Sequence, residues 1–166
     1  MIFRGYEVDS GLIALSSTAL TPALYIATTA TSDCNITRIK CSVEAVSSPA
    51  PPSNGSIFFS LNKVSGAVAG GTAVTPVQLS GSPLAANTTF RSGSTALTGL
   101  AQGAEYWPGP APLTSGAWVE DMYENTGFEV NIPANVSSAG LYCVYFIAAS
   151  GAGSGLAVRV AAWFAE

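Results

Sequence analysis

Short runs of alternating hydrophobic and polar residues follow one another along the chain, and no segment sustains the 3.6-residue period of a helix. In residues 35–45 the alternation puts one set on one face of a strand, namely Thr37, Ile39, Cys41, Val43 and Ala45. The opposite face then carries Ile36, Arg38, Lys40, Ser42 and Glu44. Because side chains alternate between the two faces of a strand, this run predicts a half-buried β-strand.

The same pattern recurs towards the end of the chain. Residues 155–165 place Leu156, Val158, Val160, Ala162 and Phe164 on one face, and residues 127–132 place Phe128, Val130 and Ile132 inward. Further strands are predicted at 12–15, 23–28, 57–64, 74–79, 87–91, 117–123 and 140–149, separated by clusters of Gly, Pro, Ser and Asn. About eight to ten short strands without a helix predict an all-β fold, a single antiparallel β-sandwich that is jelly-roll-like.

The length of 166 residues fits one domain, and no linker divides it. Residues 34–166 carry the strand pattern and form the predicted β-sandwich domain. Residues 1–33 have a weaker pattern and include Pro22, which predicts an extended N-terminal arm or an edge segment.

A glycine-rich segment at 66–81 reads GAVAGGTAVTPVQLSG. It lacks the G-x-G-x-x-G pattern that opens a helix after a strand, and no Gly-Lys-Ser/Thr follows, so it does not predict a nucleotide or phosphate site. We interpret the glycines as a hairpin connection. Pro76 confines the strand after them to a sheet edge or a bulge, because proline cannot donate to a ladder, and such an edge is a candidate seam between subunits.

Charged residues make up 10% of the chain, against about 25% in ordinary soluble proteins, which predicts a neutral, Ser- and Thr-rich surface and permanent neighbours. The net charge of −4 and only six basic residues argue against nucleic acid as a partner. The longest uncharged apolar run, 141–149, is about half of a membrane-spanning helix, so no membrane partner is expected. Glu7 and Asp9 fall where a signal peptide needs an apolar core.

The chain contains no His, which removes the usual general base and the commonest metal ligand. We therefore expect no enzyme, no catalytic residue, no metal and no cofactor. Cys34 and Cys41 are predicted to point to opposite faces of one strand, too far apart to bond each other. For Cys41 and Cys143 two interpretations stay open, an inter-strand disulfide and buried thiols that pack as small hydrophobic groups.

Acidic residues gather between 104 and 131, where Glu120 and Asp121 lie near Glu105, Glu124 and Glu129. A solvated acidic rim, a calcium site and pairing with the basic residues of a neighbouring copy all remain open. Aromatic residues in the same region could belong to the core, to a protein interface or to a sugar-binding surface. The candidate interface residues are Tyr106, Trp107, Trp118, Tyr123, Arg38, Lys40, Arg91, Glu120 and Asp121.

Several of these segments occur in an order that resembles a known class of virion protein. A strand IFFSLNKVSG is followed by GGTAVTPVQLSG, an acidic and aromatic strand, NIPANVSSAGLYCVYFIAAS and a closing LAVRVAAWFAE. This order over about residues 34–166 is similar to small β-sandwich proteins of tailed bacteriophages, especially capsid decoration (cement) proteins. The Cys-containing strands and the Pro-rich residues 49–52 depart from that pattern.

The resemblance implies a structural virion protein that is made in the host cytoplasm and binds the outer surface of an icosahedral head. Its implied partners are the major capsid protein and further copies of itself, as a homotrimer. The resemblance carries over no catalytic residue. The alternative is a head-fibre or adhesin domain that binds host-surface glycans through Trp107, Trp118 or Tyr123.

Overall fold

The computed structural model describes residues 5–16, 20–46, 57–65, 68–79, 85–99, 101–111, 118–121, 130–134, 141–148 and 155–166. All regular structure in these ranges is β-strand, and every strand pair is antiparallel. The prediction of an all-β, antiparallel fold is therefore confirmed.

The strands in chain order are β1 (Gly5–Asp9), β2 (Ile13–Ala14), β3 (Thr21–Ala27), β4 (Cys34–Ala45), β5 (Ile57–Ser65), β6 (Ala69–Val74), β7 (Val77–Gln78), β8 (Thr89–Thr98), β9 (Ala101–Ala111), β10 (Trp118–Asp121), β11 (Val130–Ile132), β12 (Leu141–Ala148) and β13 (Leu156–Ala165). A seven-stranded sheet has the order β10-β4-β13-β1-β7, with β11 added to β4 and β2 to β13. A six-stranded sheet has the order β6-β8-β3-β12-β5-β9.

The two sheets contribute to one hydrophobic cluster. The seven-stranded sheet supplies the largest set, which includes Tyr6, Val8, Ile36, Ile39, Val158, Val160 and Phe164. The six-stranded sheet adds Leu24, Ile26, Phe59, Leu61 and Phe90. The Phe164 ring stacks on Tyr6 with a centroid distance of 5.2 Å and meets Phe90 of the other sheet at 4.8 Å. Aromatic contacts at these distances add to the stabilisation from burial.

A buried serine links the two sheets by hydrogen bonds. The Ser10 N–H donates to the Val160 carbonyl at 2.8 Å, and the Val160 N–H donates to the Ser10 Oγ at 2.9 Å. The Ser92 hydroxyl of β8 donates to the Ser10 carbonyl at 2.5 Å. Each of these buried polar groups therefore has a partner, which removes the cost of burying it unsatisfied.

The six-stranded sheet contains a long two-stranded ribbon. Residues 57–65 of β5 pair with residues 101–111 of β9. Residues 69–74 of β6, the next strand after β5, pair with residues 90–98 of β8, the strand before β9. Ser65 stands opposite Ala101, and Ala69 stands opposite Thr98. The antiparallel pairing of β5 with β9 is therefore followed along the chain by the antiparallel pairing of β6 with β8. Because β5 also joins β12 and β8 also joins β3, the ribbon connects two separate positions of one sheet.

A second, smaller hydrophobic cluster lies where the ribbon joins those positions. It contains Tyr25, Val64 and Leu97, with Ala27 and Val68 packed against it. Tyr25 alternates with Leu24 and Ile26 of the main cluster, which places it on the other face of the six-stranded sheet. β3 therefore has buried apolar side chains on both of its faces.

The described part of residues 1–33 does not form an arm, and that prediction does not hold there. β1 lies between β13 and β7, and β3 lies between β8 and β12. Tyr6, Val8 and Leu24 are at most 1% exposed. The weak alternation that suggested an arm in β3 reflects a strand that is buried on both faces, which does not alternate.

A β-bulge at Thr37 reverses the inward and outward positions of β4. Trp163 pairs with Arg38, and the next residue of β13, Phe164, pairs with Ile36, so Thr37 stands opposite no residue of β13. The Thr37 hydroxyl instead donates to the Trp163 carbonyl at 3.1 Å. An extra residue of this kind shifts the two-residue alternation by one.

The bulge corrects two predictions for β4. Ile36 is buried in the main cluster together with Ile39, whereas unbroken alternation put them on opposite faces. Cys34 and Cys41 likewise lie on the same inward face and not on opposite ones. Thr37, predicted to share a face with Ile39, is only half-buried.

The glycine-rich segment is part of a strand, and its interpretation as a hairpin connection is wrong for the described residues. Gly70 and Gly71 lie in β6 with φ of 73° and 71°, and the β6–β8 register shifts between Gly70 and Thr72. A Cβ on Gly71 would stand 2.5 Å from the Leu97 Cδ2. The prediction for Pro76 is confirmed, because β7 after it is the edge strand of the seven-stranded sheet.

Candidate interaction surface

The outer face of the seven-stranded sheet is the candidate interaction surface. Two rows of residues cross it, each with an acid on β1, a residue of β13 and a base on β4. The first row is Glu7–Trp163–Arg38 and the second is Asp9–Ala161–Lys40. The core-facing neighbours Tyr6, Val8, Ala162 and Phe164 alternate with the outward ones, so both rows point away from the core.

Arg38 and Trp163 contact each other within the first row. The Arg38 Cζ lies 5.5 Å from the centroid of the Trp163 ring, which is a cation–π distance. Both residues line a depression whose lining also includes Gly5, Ala165 and Leu79. The surface there combines a guanidinium, an indole and an aliphatic side chain within one opening.

Asp9 and Arg159 form an ion pair on the same face. The Arg159 Nε donates to both carboxylate oxygens of Asp9 at 2.9 Å, and its Nη2 lies 2.8 Å from Asp9 Oδ2. The Gly11 N–H donates to Asp9 Oδ1 at 2.7 Å. Partial burial opposes ionisation of Asp9, but the hydrogen bonds from Arg159 and from the Gly11 N–H, together with the charge of Arg159, outweigh it and hold the pKa of Asp9 below its usual value. The same bond raises the pKa of Arg159.

The edge of the surface is apolar. Val77 of β7 is 66% exposed and Leu79 is 53% exposed, and Val77 stands opposite Glu7 of the first row. The Leu79 N–H donates to the Gly5 carbonyl at 2.9 Å, which ties this edge to β1. The surface therefore has charged residues in its middle and aliphatic residues along one side.

The predicted interface residues are divided between the two sheets. Arg38 and Lys40 lie together on the candidate surface. Arg91 lies on β8 of the six-stranded sheet and donates to the Gly70 carbonyl at 2.7 Å, so it belongs to the β6–β8 edge. The structure therefore does not bring all three basic residues together.

The acidic and aromatic candidates that the structure describes lie on β9 and β10. Glu120 and Asp121 of β10 stand opposite Cys41 and Lys40, and Trp118 begins the same edge strand. Trp107 of β9 stands opposite Leu61 at the edge of the six-stranded sheet. Tyr106 lies in β9 as well, where the register with β5 shifts. Tyr123, Glu124 and Glu129 lie outside the described residues.

The cysteines of β4 are buried thiols. Cys34 and Cys41 are both 0% exposed and take part in no disulfide, so the alternative of a Cys41–Cys143 bridge is not what the structure shows. Burial raises the pKa of Cys34 to about 12. A thiol with so high a pKa is a poor nucleophile at neutral pH.

Four residues of the surface were not predicted as interface residues. Glu7, Asp9, Arg159 and Trp163 come from the first and last described strands, which pair directly with each other. The outward position of Arg159 and Trp163 in the alternating run 155–165 was a usable signal. The position of Glu7 and Asp9 beside them depends on pairing across the whole chain, which no local pattern contains.

Within the described ranges, no group of three or more Cys, Asp or Glu side chains is arranged to hold a metal ion. Over the same ranges, no helix has the length and apolar character to cross a membrane. Comparison with protein-family models, curated proteins and solved structures found no match to the chain.

Proposed function

We propose that the chain is a structural protein of a phage virion, a capsid decoration (cement) protein that binds the outer surface of an icosahedral head. The proposal includes the finer form of the fold, in which the two sheets pack as a single jelly-roll-like β-sandwich. Two sheets that share one hydrophobic cluster support that form. The order of the segments between residues 34 and 166 supports the virion class.

The observation that carries the proposal is the candidate interaction surface. Its charged residues and the Trp163 ring stand on paired strands, so their spacing is fixed by the hydrogen-bonded register. A rigid surface of this kind loses little conformational entropy when it docks on a regular lattice. Opposite charges in rows select the register of a partner more than they add affinity.

Stabilisation of the head would follow from mass action. A protein that binds the assembled shell and not the broken shell shifts the equilibrium towards the assembled one, by an amount that grows with the free protein concentration. The partners in this proposal are the major capsid protein and further copies of the chain as a homotrimer. No chemical step is needed, and no nucleic acid or membrane is involved.

The test compares virions of a phage that encodes the chain with virions from which its coding sequence has been deleted. We expect the 16.8 kDa chain in purified native particles. Particles of the deletion strain should keep their heads but release DNA at a lower temperature, and added purified protein should restore the native temperature. Absence of the chain from native virions would contradict the proposal.

A charge reversal on the surface extends the test to the residues. Purified Arg38→Glu protein should need about tenfold more protein to occupy deletion-strain heads to half saturation, because a like charge now faces the partner. Lys63→Glu on β5 makes the same charge change in the other sheet and should bind as the native chain does. Full occupancy with lost cell binding in Trp107→Ala or Trp118→Ala particles would favour the glycan-binding alternative instead.

A further inference from the structure

The charges of the candidate interaction surface have a two-fold complementarity. In both rows the acid lies on β1, the base lies on β4, and β13 runs between them. A two-fold axis parallel to β13 turns a second copy over and exchanges its β1 and β4 positions. The acids on β1 of each copy then face the bases on β4 of the other copy. The rotation does not move a row along the strand direction, so each row faces the same row of the other copy.

We propose that this face binds a second copy of the chain, face to face, around a two-fold axis parallel to β13. In the first row, Glu7 of each copy meets Arg38 of the other, and the two Trp163 rings meet at the axis. Sheets that pack face to face keep their strand directions within about 30° of each other, which this axis allows. An isologous contact of this type uses one surface patch on both copies.

The second row adds a smaller part. Lys40 of each copy faces Asp9 of the other, but Asp9 is already paired with Arg159 of its own chain, and Lys40 already stands opposite Asp121 of its own β10. That internal pair also neutralises Arg159, which lies on β13 and therefore meets its own symmetry mate near the axis. The charges of the first row are therefore the ones that favour this arrangement of the two copies, and substitutions in that row test it.

This inference uses the same face as the proposed head binding, and one face cannot make both contacts at once, so a pair in solution has to separate before the chain docks on a head. A trimer on a capsid would need a three-fold contact made by another surface, whereas the face-to-face pair is a two-fold contact. Failure of the pair in solution would leave head binding by the native chain untouched, and absence from virions would leave the pair untouched.

The experiment measures the mass of the purified full chain by sedimentation equilibrium at low salt. We expect an even number of copies, with association that weakens as salt rises because exposed charges are screened. Glu7→Arg and Arg38→Glu should each weaken the pair about a hundredfold, since by symmetry every substitution places two like-charge contacts in the interface. Lys63→Glu is the matched control and should associate as the native chain does.

Mixing the two variants gives the decisive result. Glu7→Arg makes the first row basic on both sides, and Arg38→Glu makes it acidic on both sides, so each variant repels itself while the two attract each other. An equimolar mixture should therefore recover the native mass. A native chain with one or three copies, or two variants that stay apart when mixed, would overturn the inference. Circular dichroism of each variant establishes that it is folded.

Discussion

Gly93 is the glycine at which we expect an added methyl group to lower the stability of the fold most. A Cβ built on Gly93 of β8 would lie 1.8 Å from the carbonyl oxygen of Pro22 and 3.4 Å from the Cα of Ala23 in β3. Raising the first distance to the 3.0 Å that real Cβ atoms require means moving two paired backbones apart by about 1.2 Å. The obstacle is main chain, so no side-chain rotation relieves it.

The size of the effect follows from that displacement. A shift above 1 Å would break the neighbouring ladder hydrogen bonds, each worth about 1 kcal/mol net, and overpacking typically adds about 1–3 kcal/mol. We expect Gly93→Ala to lower the free energy of unfolding by about 3–5 kcal/mol. For a chain of this length that corresponds to a melting temperature lower by about 6–20 °C.

Urea denaturation followed by circular dichroism measures this change, and Gly5→Ala is the matched control. A Cβ on Gly5 would be 3.8 Å from the Leu79 Cδ1, an ordinary contact, so its stability should stay within about 0.5 kcal/mol of native. A Gly93→Ala protein less than 1 kcal/mol below the native chain would refute the close approach of β3 and β8.

Three further predictions concern buried and ionised groups. Ser10→Ala removes the acceptor of the Val160 N–H and should cost roughly 1–3 kcal/mol in urea denaturation; a loss below about 0.5 kcal/mol would mean that the N–H finds another partner. The lowered pKa of Asp9 stabilises the fold above about pH 4, and that effect is lost as pH falls through the folded value. Asp9→Asn should therefore cost about 0.2–1 kcal/mol at pH 7 and progressively less as pH falls below 4; a cost that does not change with pH would exclude the ion pair with Arg159 as its cause. The raised pKa of Cys34 predicts that its peptide resists thiol labelling at pH 8 until urea unfolds the chain, and that stability falls as pH rises above 9.0; rapid labelling of folded protein, located by mass spectrometry, would contradict it.

Most strand positions followed from the sequence because alternation is a local property. Strands predicted at 35–45, 57–64 and 155–165 occur at Cys34–Ala45, Ile57–Ser65 and Leu156–Ala165. The local sequence of β9 does not predict a strand, because Pro108 and Pro110 cannot donate backbone hydrogen bonds to a neighbouring strand. They are accommodated because β9 is an edge strand, whose one neighbour among the described strands is β5.

Other features depend on partners far away in the chain. The bulge at Thr37 exists because of its register with β13, and nothing in residues 34–45 alone specifies it. The same holds for the ribbon, which is defined by pairing between residues that lie far apart in the chain. The basic half of the candidate surface was predicted through Arg38 and Lys40, while the acidic half on β1 could not be, because a five-residue strand gives little pattern to detect.

The place of β13 also bears on how the chain is made. β13 lies between β4 and β1 and is the last described strand to leave the ribosome. Until residues 156–165 have emerged, β1 and β4 have no common neighbour, and the seven-stranded sheet cannot close over its side of the core. At that stage a nascent chain presents the unpaired edges of β1 and β4 that β13 later occupies, and neighbouring nascent chains can pair with them.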